Sequence, residues 1–157
     1  KLFFYFGLLF SLTAHATAQA DSLPAVKVQK LSDKVYALLG PTDLPNKTNQ
    51  GYMVNATLIV GEKGAILVDT GFNDVVGQHL KQAIAKLTPK PVTHIINTHH
   101  HGDHVLGNIA FANAQVLSTQ ACKELVEKTG YEWIDLIQNV AGKKFPLVTR
   151  AYQKITQ

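Results

Sequence analysis

Cysteine occurs once in the sequence, at Cys122, so no disulfide can form within the chain and its fold must rest on apolar packing. An oxidising compartment is compatible with that count but not indicated by it. Charged residues make up only 17% of the chain, and 15 basic against 11 acidic residues give a net charge of +4. That excess is too mild to imply nucleic acid. Lys81, Lys86, Lys90, Lys123, Lys128, Lys143 and Lys144 are dispersed without an aromatic-interleaved stripe and read as solvated surface. Low-complexity runs and internal repeats are absent, and 46% of the 157 residues are hydrophobic, which excludes a disordered tail and indicates one globular domain. No apolar run reaches the roughly 20 residues of a bilayer span, so no stable membrane anchor is expected.

The chain opens with Lys1, an apolar stretch from Leu2 to Leu12, and then small residues. This is the anatomy of a signal peptide whose start is truncated, since no Met precedes Lys1. Ala16-Thr17-Ala18 and Ala18-Gln19-Ala20 both offer a small-x-small cleavage pattern, with cleavage after Ala20 favoured because Asp21 begins a more polar sequence. A membrane helix is the rival reading of the same residues. Setting residues 1–20 aside leaves 14 basic against 11 acidic residues and a periplasmic or secreted domain over residues 21–157.

Val26-Lys27-Val28 and Val35–Leu39, around Ser32-Asp33-Lys34, predict two short strands and a turn. Tyr52–Val60 and Ala65–Asp69, joined by Gly61-Glu62-Lys63-Gly64, predict an antiparallel hairpin. Asn73 is placed to cap a helix with Val76, Leu80, Ala83, Ile84 and Leu87 at helical spacing, stopped by Thr88-Pro89. Val92–Asn97 is short and β-branched, as suits a buried strand. Ala114–Ser118 predicts another strand, Thr119–Lys128 a helix ending at Gly130, and Tyr131–Ala141 a last helix whose Trp133, Ile137 and Val140 line a core. Strands first and then strands alternating with helices indicate an α/β layered fold.

Asn97-Thr98-His99-His100-His101-Gly102-Asp103-His104 holds four of the seven histidines and a carboxylate directly after the predicted buried strand. An extended backbone would put residues 99, 101 and 103 on one side, and a bend at Gly102, leaving room for an ion, would bring His104 in beside Asp103. Imidazole nitrogens and carboxylate oxygens are zinc donors, and one or two neighbouring sites suit this set. The bland reading is a solvated polar loop or an affinity tag, but tags sit at termini. The His-Glu-x-x-His pattern of metal proteases is absent. His100 faces the opposite way and is either a substrate contact or a solvated side chain, His79 and His94 read as structural, and Cys122 reads as a small core residue.

The run H-x-H-x-D-H, followed by Val105-Leu106-Gly107-Asn108, resembles the metal loop of the metallo-β-lactamase superfamily. Ala65–Gly71 resembles that family's earlier strand-plus-Asp motif. The resemblance covers about residues 26–142 and implies an αββα sandwich of which only the N-terminal half is present. It also implies that His99 and His101 ligate one zinc, that Asp103 and His104 ligate a second and Asp103 belongs to the catalytic centre, and that Asp69 braces the loop without binding metal. The implied function is zinc-dependent hydrolysis of a small-molecule ester, thioester, lactone or β-lactam. An iron enzyme, persulfide dioxygenase or glyoxalase II-like, shares the loop. His101 stands where the oxygen-reducing diiron branch carries Glu, and export separates the chain from tRNA-processing relatives. No histidine follows His104, and Asp135 is the only later Asp, whereas the family draws further ligands from its C-terminal half. Two expectations follow: a hydrolase whose continued reading frame supplies two more histidines and a second set of strands, or a noncatalytic metal-binding remnant.

Overall fold

The computed structural model describes residues 23–145, and the signal-peptide reading of residues 1–20 lies outside the described residues. Six strands form one sheet in chain order: β1 (Lys27–Lys30), β2 (Val35–Leu39), β3 (Ala56–Val60), β4 (Ala65–Val68), β5 (Val92–Ile96) and β6 (Gln115–Leu117). The first four pair antiparallel, while β4, β5 and β6 run parallel. Helix α1 (Asp74–Ala85) makes the crossover from β4 to β5. A four-residue helix α2 (Gly102–Val105), a 3₁₀ segment (Leu106–Phe111) and helix α3 (Gln120–Ala141) are the remaining elements among the described residues.

Helix α1 begins where Asn73 Oδ1 accepts from the Val76 amide at 2.9 Å, and Asn73 Nδ2 donates to the Gln50 carbonyl at 2.6 Å. Its buried Val76, Leu80 and Ile84 pack on Leu38, Leu58, Leu67 and Ile95 of the sheet. Each such side chain contributes roughly 1.5–3 kcal/mol by leaving water. Gly77 lets α1 approach the 3₁₀ segment closely, since a Cβ there would lie 2.6 Å from the Gly107 carbonyl oxygen.

The opposite face of the sheet carries a second apolar set. Cross-strand pairing joins Val35 to Ile59, Ile59 to Ile66, Val68 to Ile96 and Ile96 to Leu117. These residues are half-buried or exposed, and none belongs to either buried core cluster of the described residues. One helical layer on one sheet is half of the expected sandwich.

Two sequence expectations are corrected. The predicted break at Gly130 is absent: α3 is continuous for 22 residues, because buried Cys122, Val126, Gly130, Ile134, Ile137 and Ala141 form one stripe that packs the helix on both sides of the glycine. The left-handed cap is Gly142, φ 68°, whose amide donates to the Asn139 carbonyl at 3.2 Å. The Tyr52–Val60 strand is shorter than expected, starting at Ala56, because Tyr52 is fully buried with its hydroxyl donating to the Leu39 carbonyl at 3.0 Å.

Candidate metal centre

Parallel β4 and β5 end side by side, so the residues just past Val68 and Ile96 share one rim, the usual place for ligands in such a sheet. Asp69 leaves β4 with φ 62°, a left-handed conformation that Asp tolerates better than most residues, while its amide still donates to the Ile96 carbonyl at 3.0 Å. That turn aims its carboxylate across the rim. Oδ1 accepts from the Thr98 amide at 2.9 Å, and Oδ2 accepts from the Thr98 hydroxyl and from His104 Nδ1, both at 2.8 Å.

A buried polar knot lies beneath. The Thr70 amide and Asn97 Nδ2 donate to the His104 carbonyl at 3.0 and 3.1 Å. Asn97 and Asn108 exchange amide hydrogen bonds of 3.2 and 2.7 Å, and the Thr70 hydroxyl lies 2.7 Å from Asn108 Oδ1. Gly107 is obligatory for this closeness, since a Cβ would lie 2.0 Å from the Thr70 carbonyl oxygen. These polar groups satisfy one another, which fixes the backbone of the histidine segment.

The extended path expected through residue 103 stops at His101, which caps α2 with φ −64° and ψ 144°. Asp103 and His104 arrive on a helical turn instead, with the His104 amide donating to the His101 carbonyl at 3.0 Å. Gly102 has a packing role besides the bend: its missing Cβ makes room for Phe72 and Trp133, which a Cβ would meet at 2.5 and 2.6 Å. The imidazoles still converge: the His99 ring centre lies 4.7 Å from that of His101 and 4.0 Å from that of His104. His100 packs against His101 at 4.8 Å. Asp103 Oδ2 sits 3.4 Å from His104 Nε2.

Electrostatics divides these groups. Burial, then the neighbouring His104 and His101, hold the His99 imidazole below its usual pKa. Burial also opposes charge on His104, but hydrogen bonds to Asp103 and Asp69 outweigh it and push its pKa up to about 9. Burial alone would raise Asp69 and Asp103, yet hydrogen bonds to His104, and for Asp69 also to Thr98, keep both below the ordinary carboxylate range.

Neutral imidazole and carboxylate are the donor chemistry of zinc. Among the described residues no group of three or more His, Cys, Asp or Glu side chains is arranged to hold a metal ion. His99, His101, Asp103 and His104 therefore fit a metal in kind, as part of a ligand set. His79 Nε2 meets the Pro24 carbonyl at 2.9 Å, His94 Nδ1 meets the Thr93 hydroxyl at 3.0 Å, Cys122 is buried in the α3 core, and Asp135 is exposed on α3. All four stand outside the cluster. Trp133 packs against the α3 core as expected and also rests its ring 5.0 Å from His101, and its buried Nε1 has no partner among the described residues. Thr70, Thr98 and Asn97 carried no expected role; the signal was polar side chains just past the ends of apolar strands, where a buried group needs a partner.

The sequence profile of the metallo-beta-lactamase superfamily matches residues 49–152. Two curated relatives, each a "metallo-beta-lactamase type 2", one from Bacillus cereus and one from Bacillus sp. (strain 170), are 28% identical over 123 residues, 76% of this chain and 47% of theirs. A crystal structure of a metallo beta lactamase from Hirschia baltica superposes with a TM-score of 0.56 at 22% identity, covering 68% of this chain and 49% of that one. The chain spans about half the length of the curated relatives it matches. The profile covers well over half of the sequence, and the chain belongs to the metallo-beta-lactamase superfamily.

Proposed function

We propose that this chain carries the metal loop of an exported zinc-dependent hydrolase that cleaves an ester, thioester, lactone or β-lactam bond in a small molecule. The observation that carries the proposal is the convergence of the His99, His101 and His104 rings at the rim, at 4.7 and 4.0 Å, over the Asp69 carboxylate. His99 and His101 are assigned to one ion, Asp103 and His104 to a second, and Asp69 to holding the loop. Bound zinc supplies a water that ionises near neutrality and polarises the bond under attack.

The chain's own residues do the positioning. Asp69 takes the Nδ1 proton of His104 in a hydrogen bond, which turns Nε2 toward Asp103. His104 Nε2, 3.4 Å from Asp103 Oδ2, must give up its proton before it can act as a ligand. The apolar sheet face opposite α1 is suited to a second sheet, which would bring the remaining ligands and the substrate walls. The names of the Bacillus relatives support a β-lactam among the candidate substrates. The noncatalytic remnant is the second reading, favoured by the lack of any group of three or more donors arranged for a metal among the described residues.

The test is turnover by the full-length protein on β-lactam, lactone, thioester and phosphodiester substrates, loaded with zinc or iron and then chelated. Zinc-dependent hydrolysis that disappears in His99→Ala and His101→Ala is expected. Undiminished turnover in both variants would remove the site assignment, and inactivity on every substrate with either metal would establish the remnant.

A further inference from the structure

Two protons and three groups link His99 to Asp69. The Thr98 hydroxyl donates to Asp69 Oδ2 at 2.8 Å, and the same oxygen lies 3.0 Å from His99 Nδ1. A hydroxyl has one proton, and the carboxylate, which can only accept, takes it. The Thr98 oxygen must then accept from His99, so Nδ1 carries the hydrogen and Nε2 keeps its lone pair. On the far side Asp69 Oδ2 also accepts from His104 Nδ1, at 2.8 Å. One buried carboxylate therefore orients two imidazoles, one directly and one through a hydroxyl.

We propose that Thr98 is a positioning residue that fixes the Nδ1–H tautomer of His99 and couples it to Asp69 and His104. This rests on the proposed ligand role of His99, and it goes further in assigning the hydrogen-bond partner of a histidine that has no carboxylate of its own. Thr98 is exposed, and its side chain packs in neither core cluster, so its hydroxyl can be removed without opening the fold.

The variants are Thr98→Val, which keeps the shape and deletes the hydroxyl, and Thr98→Ser, which keeps the hydroxyl. Nitrogen NMR of ¹⁵N-histidine-labelled, metal-free protein, at a pH where His99 is neutral, reads the tautomer. Cobalt(II) titration of the same proteins reads affinity. The wild type and Thr98→Ser are expected to show the Nδ1–H form, and Thr98→Val a mixture of both forms with cobalt affinity about 10–100-fold lower, the usual effect of removing a partner that orients a ligand. An unchanged His99 tautomer in Thr98→Val would overturn the inference whatever the cobalt result. His99→Ala is the separate control: full cobalt affinity there would overturn the ligand role of His99 instead.

Discussion

The two sides of the rim are held by opposite kinds of chemistry. Under α1, Leu38, Leu58, Leu67, Val76, Leu80 and Ile95 make a layer with no polar side chain, where many equivalent contacts share the work. At the C-terminal ends of β4 and β5, buried Asp69, Thr70, Asn97 and Asn108 form a knot in which each hydrogen bond has one donor and one acceptor. Apolar packing is non-directional and supplies stability; directional hydrogen bonds hold particular atoms in place. Damage to the first region should therefore lower stability and spare the site, and damage to the second should disturb the site whatever it does to stability.

The largest effect on stability belongs to the apolar side. Leu80 is fully buried, and Leu80→Ala should cost about 2–5 kcal/mol in denaturant unfolding while leaving the cobalt affinity of the folded protein within about twofold of wild type. A parallel loss of affinity would end the separation of the two regions.

Asp69→Asn comes next. It keeps the volume but cannot accept all three hydrogen bonds, and metal affinity should fall about 10–100-fold. Metal counting on the purified variant checks this, and full occupancy at stoichiometric zinc would show that the knot does not position the loop.

A pH series separates the regions by a third route. The folded His104 pKa, about 9, exceeds its ordinary 6.5, so its charge stabilises the metal-free fold fully below pH 6.5 and that contribution is lost as pH rises through about 9. The melting temperature of chelated protein should fall across that window, and His104→Gln should flatten the curve. Identical curves would mean that His104 is not charged in the fold.

The smallest effect tests the corrected helix. Gly130 lies in the interior of α3 without a positive φ, so Gly130→Ala should stabilise the protein by up to about 1 kcal/mol in thermal unfolding. Destabilisation would show that the packed face of α3 has no room for the added methyl.

Much of this was legible in the residues alone. Short β-rich apolar runs and short Gly turns gave the strands, Asn73 and Thr119 gave helix starts, and both cap as expected, accepting from the Val76 and Cys122 amides. These are local signals, set by neighbours along the chain. The His99–His104 segment was legible for the same reason, since its donors lie within six residues. Gly130 misled because glycine is both a helix terminator and a tolerated helix residue, and only the packing of Val126 and Ile134 around it decides which.

By itself, the sequence determined the order of the six strands and α1, the donor types and the neighbourhood of the loop. Tertiary structure decided which distant residues serve it. Asp69 and His104 are 35 residues apart, Thr70 and Asn108 are 38 apart, and Trp133 reaches His101 from another helix. No periodicity encodes such pairs. They exist because parallel pairing of β4 with β5 sets two chain ends side by side, and because Gly102 and Gly107 leave no Cβ to keep α3 and the Thr70 backbone away.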